Sequence, residues 1–189
     1  MKALDRFLRA WRTRVALRAA PQPLRAVLDV GCDDGYLLRQ LDAEVREGID
    51  PAIAGCSGAE PGLRLCRGCF PADLARLSLL GPYDAIFSLA VFEHLSAADV
   101  RAARAALPDL LKPGGRLIVT VPHPFVDRIL DLLLFFRLID GQAVHEHHGF
   151  EPAQLGELAS ARLLLVSRSR FQLGLNNLFV FEKAAEPCN

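Results

Sequence analysis

Short apolar runs recur along the chain, each closed by a turn signal, and between several of them apolar positions return at helical spacing. The run Val27-Leu28-Asp29-Val30 leads into Gly31-Cys32-Asp33-Asp34-Gly35, and Tyr36-Leu37-Leu38 follows. This pattern predicts a buried strand, a glycine-containing turn and a helix from about Gly35 to Asp42. A second strand is expected over 45–49, ending at Asp50-Pro51, and a third over 63–66, ending before Arg67-Gly68-Cys69-Phe70. Between these two, Gly55, Gly58 and Gly62 make a full crossover helix doubtful. The run from Tyr83 to Leu89 predicts a fourth strand that continues through Ala90-Val91-Phe92-Glu93-His94-Leu95 without a glycine spacer. Ser96 is placed to N-cap a helix over 97–111, which Pro108 should bend or end early. Pro113-Gly114-Gly115 opens a fifth strand through Val121, and two further strands are expected over 162–169 and 175–181.

Two segments stand outside this alternation. Residues 1–20 read as a basic amphipathic helix: Leu4, Phe7, Leu8, Trp11 and Val15 form one stripe, and Arg6, Arg9, Arg12, Arg14 and Arg18 take most of the remainder. A cap on the sheet with a solvated basic face is the simpler expectation; a lid over a membrane surface or an anionic substrate is the alternative. Residues 125–139 are apolar nearly all round a helix, which suits burial, dimerisation or contact with a lipid-like group. The whole reads as one domain, 1–189, with 123–150 as a substrate lid or insertion.

Composition changes this picture little. The 189 residues are 51% hydrophobic and 23% charged with formal net charge +0, so long-range attraction to nucleic acid is not expected. Neither a secretory leader nor an apolar run long enough for a membrane span is apparent, so a cytoplasmic, at most membrane-peripheral, location is expected. The five cysteines, Cys32, Cys56, Cys66, Cys69 and Cys188, are then expected as reduced thiols. Cys66-x-x-Cys69 has no second pair at metal-finger spacing, and His145-x-His147-His148 has no matching carboxylates, so no metal is expected.

In an open α/β sheet, ligands bind at the carboxyl ends of the strands, so the first turn is the natural site. The dinucleotide pattern G-x-G-x-x-G is absent there. Asp29, Asp33 and Asp34 put negative charge where a pyrophosphate needs none, so a cationic ligand fits better. Asp50, at the end of the second strand, can accept two hydrogen bonds side by side from ribose hydroxyls, or cap the turn that Pro51 begins.

Leu28-Asp29-Val30-Gly31-Cys32-Asp33-Asp34-Gly35 resembles motif I of the class I methyltransferases that use S-adenosylmethionine (SAM), with Asp33 where the middle glycine usually stands. Tyr83-Asp84-Ala85-Ile86 followed by Glu93-His94-Leu95, and Leu111-Lys112-Pro113-Gly114-Gly115, resemble the same family's fourth-strand motif and fifth-strand turn. The resemblance implies a Rossmann-like three-layer sandwich whose seven-stranded, mostly parallel sheet has one antiparallel strand near the C-terminus. It implies SAM as cofactor, S-adenosylhomocysteine (SAH) as product, and a cofactor site of Asp29, Gly31, Cys32, Asp33, Gly35, Asp50, Pro51, Gly68, Cys69, Phe70, Ser88, Leu89 and Ala90. In that family a Gly-Asp pair after the third strand often meets the adenine amino group. Cys69 takes the aspartate's place here, leaving backbone amides and Phe70, or Asp73 if its loop folds back.

Methyl transfer needs mainly end-to-end positioning. For a hydroxyl acceptor a base is useful, and His123 and His147 are the candidates, with a hydrogen-bonded loop histidine the simpler reading of each. The expected acceptor is a small or lipophilic molecule, quinone-, lipid- or glycan-linked, rather than nucleic acid. Peripheral membrane contact and a homodimer are both compatible with the apolar segment. The alternative function is a catalytically degenerate SAM- or SAH-binding module.

Overall fold

The apolar runs form strands in a computed structural model that describes residues 3–55, 57–123 and 152–185. In chain order these are β1 (Ala26–Val30), β2 (Val45–Asp50), β3 (Ser57–Glu60), β4 (Leu63–Arg67), β5 (Tyr83–Leu89), β6 (Leu111–Pro122), β7 (Leu163–Phe171) and β8 (Asn176–Lys183). The helices are α1 (Ala3–Ala19) and α2 (Ala97–Leu110). The strands make one sheet in the order β3-β4-β2-β1-β5-β6-β8-β7. From β4 to β6 every pairing is parallel, and β8 runs antiparallel to both β6 and β7. The seven strands from β4 to β7 therefore match the expected sheet, with β8 as its one reversed strand. The short β3 adds an eighth, antiparallel strand at the edge, in the glycine-bearing stretch where a helix was doubtful.

Strands covered on both faces read as continuous apolar runs, and β1, β5 and β6 do. Leu28, Val30, Ile86, Leu117 and Val119 pack on one face with Val100, Ala103 and Leu107 of α2. Val27, Ala85, Phe87 and Ile118 pack on the other with Ala16 of α1. The chain leaves β1 toward β2 on one side and reaches β5 on the other. The strand order thus reverses between the carboxyl ends of β1 and β5, which opens a crevice there.

Three local expectations are corrected. The helix over 35–42 is not formed; a turn fills most of that span, with one 3-10 turn at Leu38–Gln40. Gly35 has φ 76°, outside the right-handed helix, and only a short stretch remains before β2. Pro108 neither ends α2 nor separates it from its last turn, because only two residues follow it and few helical bonds are lost. Ser96 caps that helix as expected, its side chain accepting from the Asp99 amide while Asp99 reciprocates.

The third correction concerns α1. The expected apolar stripe faces inward only in part: Leu8, Trp11 and Val15 are half-buried and Val15 packs on the core, but Phe7 is 58% exposed and Leu4 37%. Thr13, Ala16 and Ala20 are buried, and Arg9 and Arg12 turn toward the sheet. Arg116 donates to the Ala19 carbonyl at 3.2 Å, and Gln172 donates to the Leu8 carbonyl at 2.8 Å. These contacts lay the C-terminal half of α1 over β6 and extend its N-terminal half across the crevice. No helix among the described residues is long and apolar enough to cross a membrane.

Candidate functional site

The crevice is built on the turn after β1. Gly31 (φ 76°) lets the chain reverse, and Val91 packs over it: a Cβ there would stand 2.3 Å from the Val91 Cγ2 atom. Asp33 occupies φ 47°, a left-handed conformation that aspartate tolerates better than most residues, so the missing glycine leaves the turn intact. Asp50 faces this turn. Its Oδ2 accepts from the Asp33 amide at 3.0 Å and its Oδ1 from the Ala52 amide at 2.8 Å. One carboxylate therefore caps the Pro51 turn and ties β2 to motif I, with lone pairs left over for ribose hydroxyls.

Beyond Asp50 lies an open hollow of ≈ 630 Å³, a size that holds a nucleoside, lined by Pro51, Gly68, Cys69 and Asp73 among others. The loop after β4 folds back, so that Asp73 Oδ2 accepts from the Cys69 amide at 2.8 Å. A carboxylate thus stands beside the position where an aspartate was missed in the sequence. Phe70, expected as an adenine wall, is buried against Phe92 at 6.3 Å between ring centroids, and Leu77 lines the hollow. As the first residue past the Cys69 turn, Phe70 points into the core rather than out of it.

Asp29 is only 4% exposed. Burial pushes its carboxyl up to about 8, opposed by the charge of Arg9 and reinforced by Asp50. Burial and the neighbouring carboxylates also push the Cys32 thiol up, leaving a neutral packing group. Its sulfur and Cβ lie within 3 Å of where a Cβ on Gly48 would stand, so β2 needs glycine there. Ser88 is buried and its hydroxyl has no partner among the described residues; Leu89 and Ala90 are half-buried at the strand end. Ala90 has φ 62°, and its amide donates to the Thr120 carbonyl at 2.9 Å.

Sequence reasoning missed what α1 brings. Arg9 pairs with Asp34 through both terminal nitrogens, lies 3.7 Å from the Asp33 carboxylate, and sits 4.4 Å over the Tyr36 ring. Although partial burial raises it, these interactions hold the Asp34 carboxyl below its ordinary range. One turn on, the Arg12 guanidinium is buried within the electrostatic reach of Glu93, which stands in the 3-10 turn Phe92–His94 after β5. Arg9 and Arg12 are three residues apart and so share a helix face. That spacing was visible, but only the fold showed that the face looked inward.

Of the histidine candidates, His123 lies just past β6, with its amide donating to the Leu175 carbonyl at 2.8 Å. His147, the other histidines of that cluster and the apolar segment 125–139 lie outside the described residues. Among the described residues no group of three or more His, Cys, Asp or Glu side chains is placed to hold a metal ion.

A strand-order reversal, a glycine turn ringed by carboxylates and an acidic residue closing β2 define the class I methyltransferase architecture. The chain matches the Methyltransferase domain family over residues 2–163 and belongs to it. A curated relative, the tRNA U34 carboxymethyltransferase of Tolumonas auensis, is 30% identical over 126 residues, covering 58% of this chain and 37% of that protein. The chain thus spans little more than a third of that relative's length. Among solved structures, the PH0226 protein of Pyrococcus horikoshii aligns with TM-score 0.68 at 15% identity, covering 96% of this chain and 93% of that one. SAM-bound CalS10, an amino pentose methyltransferase from Micromonospora echinaspora, aligns with TM-score 0.62 at 20% identity, covering 97% and 98%. The tRNA-modifying relatives overturn the expectation that nucleic acid is excluded as a partner. Zero net charge speaks only to long-range attraction, and a pocket can accept a nucleoside without a basic domain.

Proposed function

We propose that this chain moves the sulfonium methyl of SAM onto a nucleophile held at the carboxyl ends of β5 and β6. The observation that carries this reading is the set of carboxylates Asp33, Asp34 and Asp50, with the Asp29 carboxyl buried behind them, around a glycine turn at the strand-order reversal. Such a set repels a pyrophosphate and attracts a cationic nucleoside. When bound, SAM supplies an electrophilic methyl on a good leaving group. Asp50 would hold the ribose hydroxyls, Asp73 and the Cys69 segment the adenine, and the carboxylates nearest Gly31 the cationic end. The chain's part is alignment and exclusion of water, which in favourable cases supplies roughly 7–11 kcal/mol.

For the acceptor, a small or lipophilic molecule, quinone-, lipid- or glycan-linked, remains our first reading. A tRNA nucleoside is the second, favoured by the curated relatives named for tRNA modification. The apolar segment that motivates a lipophilic acceptor lies outside the described residues, and two arginines of the basic helix are engaged in the crevice.

Calorimetry with SAH tests the cofactor site first. Methyl-labelled SAM is then incubated with the protein and, separately, total tRNA, a lipid and quinone extract, and a polar metabolite extract. Label in one fraction names the acceptor class. SAH binding without transfer to any of them supports a degenerate binding module, and absence of SAH binding by folded protein overturns the proposal.

A further inference from the structure

Seven side-chain polar atoms are buried without a hydrogen-bond partner among the described residues, and two of them, Glu93 Oε2 and Arg12 Nε, belong to buried groups of opposite charge that act on one another electrostatically. The two come from elements that meet only through the fold. Glu93 stands in the turn leaving β5, and Arg12 comes down from α1. Glu93 is 4% exposed, so its free oxygen is turned away from bulk water. Two residues before it, Val91 covers Gly31, and the Ala90 backbone is held in a left-handed conformation that makes the chain turn here. On the other side, Arg12 is one helical turn from Arg9, whose charge reaches Asp29, Asp33 and Asp34. Glu93 therefore belongs to the turn that leaves the carboxyl end of β5, where the acceptor is proposed to sit. Buried charged groups with a purely structural role should use their hydrogen-bonding atoms. These two leave an acceptor and a donor unused, as groups do when they await a third.

We propose that Glu93 takes the proton of the acceptor during methyl transfer and that Arg12 positions it; this rests on the methyl-transfer reading above. The acceptor's lone pair forms the new bond to the methyl carbon. The carbon–sulfur bond breaks with its electron pair left on sulfur, which becomes a neutral thioether. The acceptor's proton passes to the Glu93 carboxylate, so charge and atoms balance without another reactant. The groups acting on Glu93 fit the task. Burial pushes its carboxyl up to about 7, while its own backbone amide and Arg12 pull it back toward the ionised form. A base with that affinity is ionised in a useful fraction near neutrality and still holds a proton well. Arg9 faces Arg12, and Asp29 and the Asp33-Asp34 pair face Arg9, so these charges also set the pair's field.

The test needs no acceptor. Sinefungin carries an ammonium group in place of the sulfonium methyl and so presents a cation toward the acceptor side, whereas SAH presents nothing there. Both are titrated into wild-type protein by calorimetry from about pH 5.5 to 8.5. The expected result is a preference for sinefungin over SAH that rises with pH through about 7. E93Q should bind SAH within about twofold of wild type, lose the sinefungin preference about tenfold or more, and flatten its rise near 7. E93D should restore part of both. R12M should move the midpoint upward, because Glu93 loses its stabilising cation. D29N separates the neighbouring titration and should keep the rise near 7. SAH binding with an E93Q sinefungin-to-SAH ratio and pH profile like wild type overturns the Glu93 assignment alone. Failure of the folded wild type to bind SAH overturns the cofactor reading and this assignment with it. Far-UV circular dichroism confirms folding of each variant, and E93D supplies the comparison if E93Q does not fold.

Discussion

Arg9 lies 4.4 Å over the Tyr36 ring while its terminal nitrogens pair with the Asp34 carboxylate, so one α1 side chain covers the turn that follows β1. The guanidinium adds positive charge to a crevice whose other charges favour a cation. SAM and SAH share the same carboxylate and amine and differ by the sulfonium charge. R9A should therefore raise the ratio of SAM to SAH affinity severalfold, with the largest gain at low salt. Competition calorimetry at two ionic strengths measures it, and an unchanged ratio would show that Arg9 does not reach the ligand's charge.

Asp73 stands in for the carboxylate absent at Cys69. Because its Oδ2 is already held by the Cys69 amide, it is fixed at the rim of the hollow. D73A should weaken SAH binding about tenfold, roughly 1.4 kcal/mol, and D73N should recover part by keeping one acceptor oxygen. Equal SAH affinity for wild type and D73A, by calorimetry, would remove Asp73 from adenine recognition.

Asp29 makes stability depend on pH. Its carboxyl ionises near 3.8 in the unfolded chain and near 8 in the folded one. Between those values the folded state holds a proton that unfolding releases, so stability falls as pH rises from about 4 toward 8 and levels off above. D29N removes this dependence and should gain on the order of 2 kcal/mol over wild type by pH 8, read from urea unfolding. The sulfonium favours the ionised carboxylate, so SAM binding below about pH 8 should also release protons. Calorimetry in buffers of different ionisation enthalpy detects that release.

Glu47 joins three elements from a buried position. It accepts from Arg64 Nε at 2.7 Å, from the Leu80 amide at 2.8 Å and from the Tyr83 hydroxyl. E47A strands a guanidinium, an amide and a phenol, and should cost about 3–5 kcal/mol in urea unfolding. A cost below about 1 kcal/mol would mean that water replaces these bonds easily.

The central strands β1, β5 and β6 were legible because a strand buried on both faces must be continuously apolar, a local property of the chain. The short edge strand β3 carries no such run. Asp33 in the motif turn was legible for a similar reason: a left-handed position accepts few residue types, and aspartate is one of them. The Gly35 break in the predicted helix was less so, since periodicity alone does not reveal a φ of 76°.

The sequence alone determined where most of the strands lie and which carboxylates stand beside Gly31, both of which depend on neighbours along the chain; the class of sheet came with the family resemblance. Tertiary structure decided which side of α1 faces inward and brought Arg12 within electrostatic reach of Glu93. Periodicity places residues on a common face without naming what that face meets. A contact across the fold depends on where the sheet puts both partners, and that is fixed only when the core packs.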